Sequence, residues 1–101
     1  MVKRKKMLTV KLFYAEWCGA CRNFKPDWEK IVQRVMDSKY SNRVKFEKYN
    51  IDQNRDLAES LSINGIPTII FYFEGKNYKY SGERNIEQII RKIQKICDER
   101  F

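Results

Sequence analysis

Cys18 and Cys21, separated by Gly19 and Ala20, are the residues in this sequence best suited to covalent chemistry. At the start of a helix a CxxC spacing brings two sulfurs within reach of a reversible disulfide. The first sulfur then sits at the helix N-terminus, where unpaired N–H groups and the macrodipole stabilise a thiolate and lower its pKa. The second falls one turn further in, on the same stripe as Phe24 and Trp28, where it is shielded. One sulfur is expected to attack and the other to resolve. The rival chemistry for such a pair is zinc binding, which takes four ligands in a closed site. The chain has no His and a single further cysteine, Cys97, so no metal is expected.

The elements that must hold this pair follow from hydrophobic spacing. Leu8 to Ala15 is rich in β-formers and reads as a buried strand that runs straight into the cysteines. Cys21, Phe24, Trp28, Ile31, Val32 and Val35 form one helical stripe, with Pro26 a kink in the early turns and Trp28 in the core. Val44 to Ile51 alternates as a second strand, Asp52 or Asn54 caps a short helix through Leu61, and Asn64 with Gly65 marks a turn. A β-prone run from Pro67 to Phe73 turns through Glu74, Gly75, Lys76 and Asn77 into a partner strand near Tyr78 to Ser81. Isoleucines at 86, 89, 90, 93 and 96, with Cys97, recur at helical spacing, which buries Cys97 in a last helix. The order β-α-β-α-β-β-α predicts an α/β fold, a mixed sheet with helices on both faces.

With 101 residues the chain suits one hydrophobic core, so residues 1–101 are expected to form a single domain. Hydrophobic residues at 43% and aromatics at 14% argue for a packed globule rather than disorder. The formal charge of +8 points to acidic partners of some kind. Its one dense run, Lys3, Arg4, Lys5 and Lys6, reads as a flexible solvated tail rather than a nucleic-acid arm. Interleaved stacking aromatics are not evident, so nucleic-acid binding is not expected. Met7 to Tyr14 is interrupted by Lys11 and leads into the cysteine motif, unlike a signal peptide, and no run is long enough to span a membrane. The expectation is a cytoplasmic protein with no membrane partner, in a reducing compartment where a close Cys pair is catalytic rather than structural.

The segment Ala15, Glu16, Trp17, Cys18, Gly19, Ala20, Cys21 resembles the active-site segment of thioredoxins. Pro26 in the following helix, the run Asn50 to Asn54, the loop Gly65, Ile66, Pro67, Thr68, and Gly75 and Gly82 agree with that resemblance, which covers the chain from about Leu8 onward. It implies a cis Ile66–Pro67 bond facing the cysteines, with the Ile66 backbone, Pro67 and Gly82 meeting an extended substrate segment. Proline lowers the cost of the cis isomer and presents no N–H at that point. Trp17, directly before an exposed nucleophile, is then an apolar lip against bound protein. With seven residues before the first strand, the fold is expected to be a short version of the family's, with the strand around Val44 at a sheet edge guarded by Lys45, Glu47 and Lys48.

Two departures stand out. Thioredoxins carry a buried Asp six residues before the first cysteine, and this chain has Leu12; Lys48, at the position of the companion lysine, is retained. Gly19 and Ala20 replace the usual Gly and Pro, and residues between the cysteines tune the balance of thiolate and disulfide. The resemblance implies a thiol–disulfide oxidoreductase that reduces protein disulfides, needs no cofactor beyond the Cys18, Cys21 pair, works as a monomer, and is recycled by a reductase or glutathione. Alternatives are a disulfide oxidase or isomerase, and a binding module with a vestigial pair.

Overall fold

A computed structural model describes residues 7–101, and the basic run at 3–6 lies outside the described residues. Among the described residues four strands and three helices follow in the order β1 (Leu8–Tyr14), α1 (Gly19–Met36), β2 (Val44–Asn50), α2 (Arg55–Ser60), β3 (Thr68–Phe73), β4 (Lys76–Lys79) and α3 (Ile86–Arg100). The sheet order is β2-β1-β3-β4, with β1 parallel to β2 and antiparallel to β3. A parallel pair needs a crossover, and α1 supplies it. The strand around Val44 is at a sheet edge, as expected for the short version of the fold.

Residues of a strand alternate between faces. Leu8, Val10 and Leu12 of β1, with Ile69, Phe71 and Phe73 of β3, turn to one face and join the stripes of α1 and α3 in the main core. There Trp28 lies edge-on to Phe46, and Cys97 has no exposed surface. Phe13 and Ile70, equally buried, turn to the other face. Lys79, paired with Ile70 and so on its side, donates to the Ser62 carbonyl just beyond α2, which places the end of α2 on this second face. Among the described residues no helix is long and apolar enough to cross a membrane.

Local details differ from the sequence expectation at the hairpin and at the cap of α2. The hairpin turn is only Glu74 and Gly75, both at positive φ (52° and 76°), so β4 begins at Lys76 and ends at Lys79. Two consecutive residues of that kind make the tight turn whose twist matches the flanking strands. Asn54 does occupy the N-cap of α2, yet its side chain makes no capping bond; it donates to the Asn50 carbonyl instead. At α3 the cap is Asn85, whose side-chain oxygen accepts the N–H groups of Glu87 and Gln88 at 2.9 and 3.2 Å. Pro26 lies inside α1, which runs unbroken through it.

Candidate active site

Strand β1 delivers the chain to the cysteines and α1 orients them. Cys18 is the N-cap of α1 in extended backbone (φ −84°, ψ 114°), and its Sγ accepts the backbone N–H of Cys21 at 3.2 Å. A cap side chain normally satisfies an orphan N–H of the first turn, and here a sulfur takes that place. The first turn carries no acidic residue that would oppose a thiolate. Cys21 lies on the buried stripe, and the two sulfurs share a small cluster with Ala15, flanked by Tyr14, Ile51 and Ile66. Cys97 belongs to the main core instead.

Cys18 is less open than the sequence implies. Its exposure is 8%, against 7% for Cys21, so it is not an exposed nucleophile in this state. The Ile66 carbonyl lies 3.8 Å from Cys18 Sγ and the Cys21 N–H lies on it from the helix side, which encloses it. Proton affinity separates the sulfurs where exposure does not. Burial works against ionising Cys18. The hydrogen bond from the Cys21 thiol, the N–H groups of Cys21 and Ala20, and the Arg22 guanidinium outweigh it and hold the pKa below its ordinary value. For Cys21, burial and its hydrogen bond to Cys18 push the pKa up to about 11, with Arg84 acting in the opposite direction.

The other residues singled out in the sequence fall in varied places. Trp17 is 64% exposed beside Cys18, and its indole Nε1 donates to Asp52 Oδ2 at 2.9 Å, which holds the ring in place. The Ile66–Pro67 peptide is cis, both residues are half-buried, and Ile66 packs beside the sulfurs. Gly19 and Ala20 are exposed, and a Cβ on Gly19 would meet nothing closer than Arg22 at 3.8 Å, so no close approach demands glycine there. Gly82 makes its close contact with Tyr80: a Cβ would stand 2.5 Å from the Tyr80 hydroxyl, so its size makes room for that ring. Lys48 is directly opposite Leu12 in the β1–β2 register. Both line a cavity of about 80 Å³ that also reaches Cys21, Tyr14 and Glu16. Among the described residues no three His, Cys, Asp or Glu side chains converge as a metal site.

Three contributors were not assigned to the site from the sequence. Asp52 reads there as a helix cap; its neighbour Asn50 accepts its N–H and shapes the turn that carries it to Trp17. Arg22 also donates to the Glu16 carbonyl at 2.9 Å, so it fastens the segment before Cys18 as well as acting on the sulfur. A basic residue one turn after Cys18 was a legible signal; the approach of Arg84, from beyond β4, was not.

The model of the thioredoxin family matches residues 1–95. The chain belongs to the thioredoxin family. This family member is 35% identical over 89 residues to a thioredoxin domain-containing protein of Acanthamoeba polyphaga mimivirus, which covers 84% of the chain and 25% of that protein. It is 32% identical over 84 residues to protein disulfide-isomerase A4 of Mus musculus, covering 83% of the chain and 13% of that protein. The chain thus spans a quarter or less of these curated relatives. Among solved structures, the first thioredoxin domain of mouse protein disulfide-isomerase A4 superposes with a TM-score of 0.82 at 29% identity, over 93% of this chain and 66% of that one. The thioredoxin of Fasciola hepatica does so at 0.73 and 33%, over 90% and 82%. These relatives make this thioredoxin-family chain a thioredoxin domain related to protein disulfide-isomerases and thioredoxins.

Proposed function

We propose that this chain reduces disulfides of protein substrates by dithiol exchange through Cys18 and Cys21. The observation that carries the reading is the split between two neighbouring sulfurs: Cys18, capping a helix, is held towards the thiolate, while Cys21 is held as a thiol. The Cys18 thiolate attacks one substrate sulfur; the substrate S–S bond breaks and its other sulfur leaves as a thiolate that takes a proton from water. Cys21 then gives up its proton and attacks Cys18 Sγ. The second substrate thiolate departs, and Cys18 and Cys21 are left joined, two electrons having passed to the substrate. In this reading Trp17 and Ile66, beside Cys18, form the substrate-facing surface together with Pro67 and Gly82. No further cofactor takes part. A reductase or glutathione restores the pair, and the chain works as a monomer in the reducing setting of the cytoplasm.

The reduction potential of the Cys18, Cys21 pair tests this reading, measured by thiol trapping in graded dithiol buffers in a Cys97→Ser background. The expected value is at or below the glutathione poise, about −220 to −260 mV. A much higher value would replace the reductase by an oxidase or isomerase, and no reversible two-electron couple would leave only a binding module.

The proton on Cys21 is the slow point. Leu12, facing Lys48, is apolar where the resemblance implies a carboxylate, so the cavity behind Cys21 has no base at that position. In this reading Cys21 loses its proton to water or buffer rather than to Glu16, the carboxylate that lines the same cavity. Leu12→Asp should therefore raise turnover near pH 7 by about tenfold or more, with about a hundredfold or more expected of a fully positioned general base. Release of the mixed disulfide would be timed, with a thermal melt to show that the variant folds. A folded variant with an unchanged or lower release rate would remove proton transfer as the limiting step.

A further inference from the structure

On the sheet edge opposite β2, the surface between β4 and α3 opens into a groove of about 420 Å³. That volume is in the range of a ligand-binding cleft. Its floor is aromatic. Tyr78, 43% exposed, stacks on Phe73 at 4.9 Å, and Tyr80 stands edge-on to Phe71 at 5.8 Å. Its α3 wall carries Lys92 and Lys95, and the groove continues past Gly82 along Arg91. Among the described residues no carboxylate lies within ion-pair distance of Lys92 or Lys95, while Arg100 at the far end is engaged with Glu74 at 3.7 Å. Glu99 is the one acidic residue of the lining.

Beside this groove β4 ends the sheet, pairing with β3 along one side, and all four of its residues are exposed. Its outer main-chain groups are open to a further strand, among the described residues. Lys76 and Lys79 oppose pairing with another copy of a chain that carries +8, and favour a strand of the opposite sign. A phosphate ligand fits less well. The N-terminus of α3, the usual seat for one, has its N–H groups taken by Asn85, and Lys92 and Lys95 stand in the later turns of that helix.

We propose that the groove between β4 and α3 docks an extended acidic segment of a partner protein, paired along β4, with a large apolar side chain over Tyr78 and carboxylates against Lys92 and Lys95. This docking needs no thiol and meets the proposed substrate surface only at Gly82.

The test uses the full chain with Cys18→Ser and Cys21→Ser, so that no mixed disulfide forms, and a fluorescein-labelled peptide EDFEIE followed by fluorescence polarisation. Binding should weaken on the order of tenfold in Lys92→Glu/Lys95→Glu, and similarly in Tyr78→Ala, with melting curves showing both variants folded. Trp17→Ala should leave it unchanged, and amide shifts should centre on β4. The inference is overturned if the peptide does not bind, if charge reversal has no effect, or if Trp17→Ala abolishes binding. Preferential binding of an oligonucleotide at these lysines, or self-association of the chain through them, overturns it too.

Discussion

Replacing Cys18 with serine should lower turnover of a disulfide-bonded protein by about a thousandfold or more, because no other group at the site supplies the attacking sulfur. Cys21→Ser should behave differently: the first attack survives and a covalent mixed disulfide with substrate accumulates, visible as a reducible adduct on a gel. The pH profile follows from the same pair. Cys18 has a lowered pKa, so its thiolate forms at lower pH than that of an ordinary thiol, and the first step should level off correspondingly early. Cys21 keeps its proton until about pH 11, so resolution should go on accelerating through alkaline pH. Stopped-flow mixing that resolves the two phases checks this. Retained turnover in Cys18→Ser, or a first phase that titrates no lower than an ordinary thiol, would contradict the assignment.

Trp28→Ala should cost about 3–5 kcal/mol of stability, as truncation of a large buried ring usually does. Trp28 is 3% exposed and packed between Phe24 and Phe46, with centroids at 6.4 and 5.6 Å, so its loss opens a cavity between α1 and β2. In a chain of this length a loss that size lowers the melting temperature by about 15 °C or more. Trp17→Ala, at an exposed position held by one hydrogen bond, should stay within about 0.5 kcal/mol of the parent and weaken substrate binding instead. Urea unfolding of the two variants side by side separates the roles; equal losses would mean that Trp17 is structural.

What could be read in advance depended on the range of the interaction. The stripes of α1 and α3 repeat every three to four residues and were legible, down to the burial of Trp28 and Cys97. So was the edge position of β2, since it followed from element order. The hairpin was placed two residues late because Glu74 adopts positive φ, which its residue type does not announce. The enclosure of Cys18 was missed because its lid, the Ile66 carbonyl, comes from a residue 48 positions away and from backbone, which leaves no side-chain signature. Asp52 and Arg84 escaped for a related reason: each meets its sulfur or ring only through the closed fold.

The sulfur that is proposed to attack is also the group that starts the helix. Cys18 Sγ accepts the Cys21 N–H, so this orphan donor of the first turn of α1 is satisfied only as well as that sulfur can accept. A thiolate accepts strongly, whereas a sulfur drawn into a disulfide is a poor acceptor. Each catalytic cycle would then loosen and refasten the opening turn of α1, making local helix order a function of electron count. The coupling runs both ways: whatever tightens that turn around a thiolate favours the reduced pair and makes the protein a weaker donor of electrons.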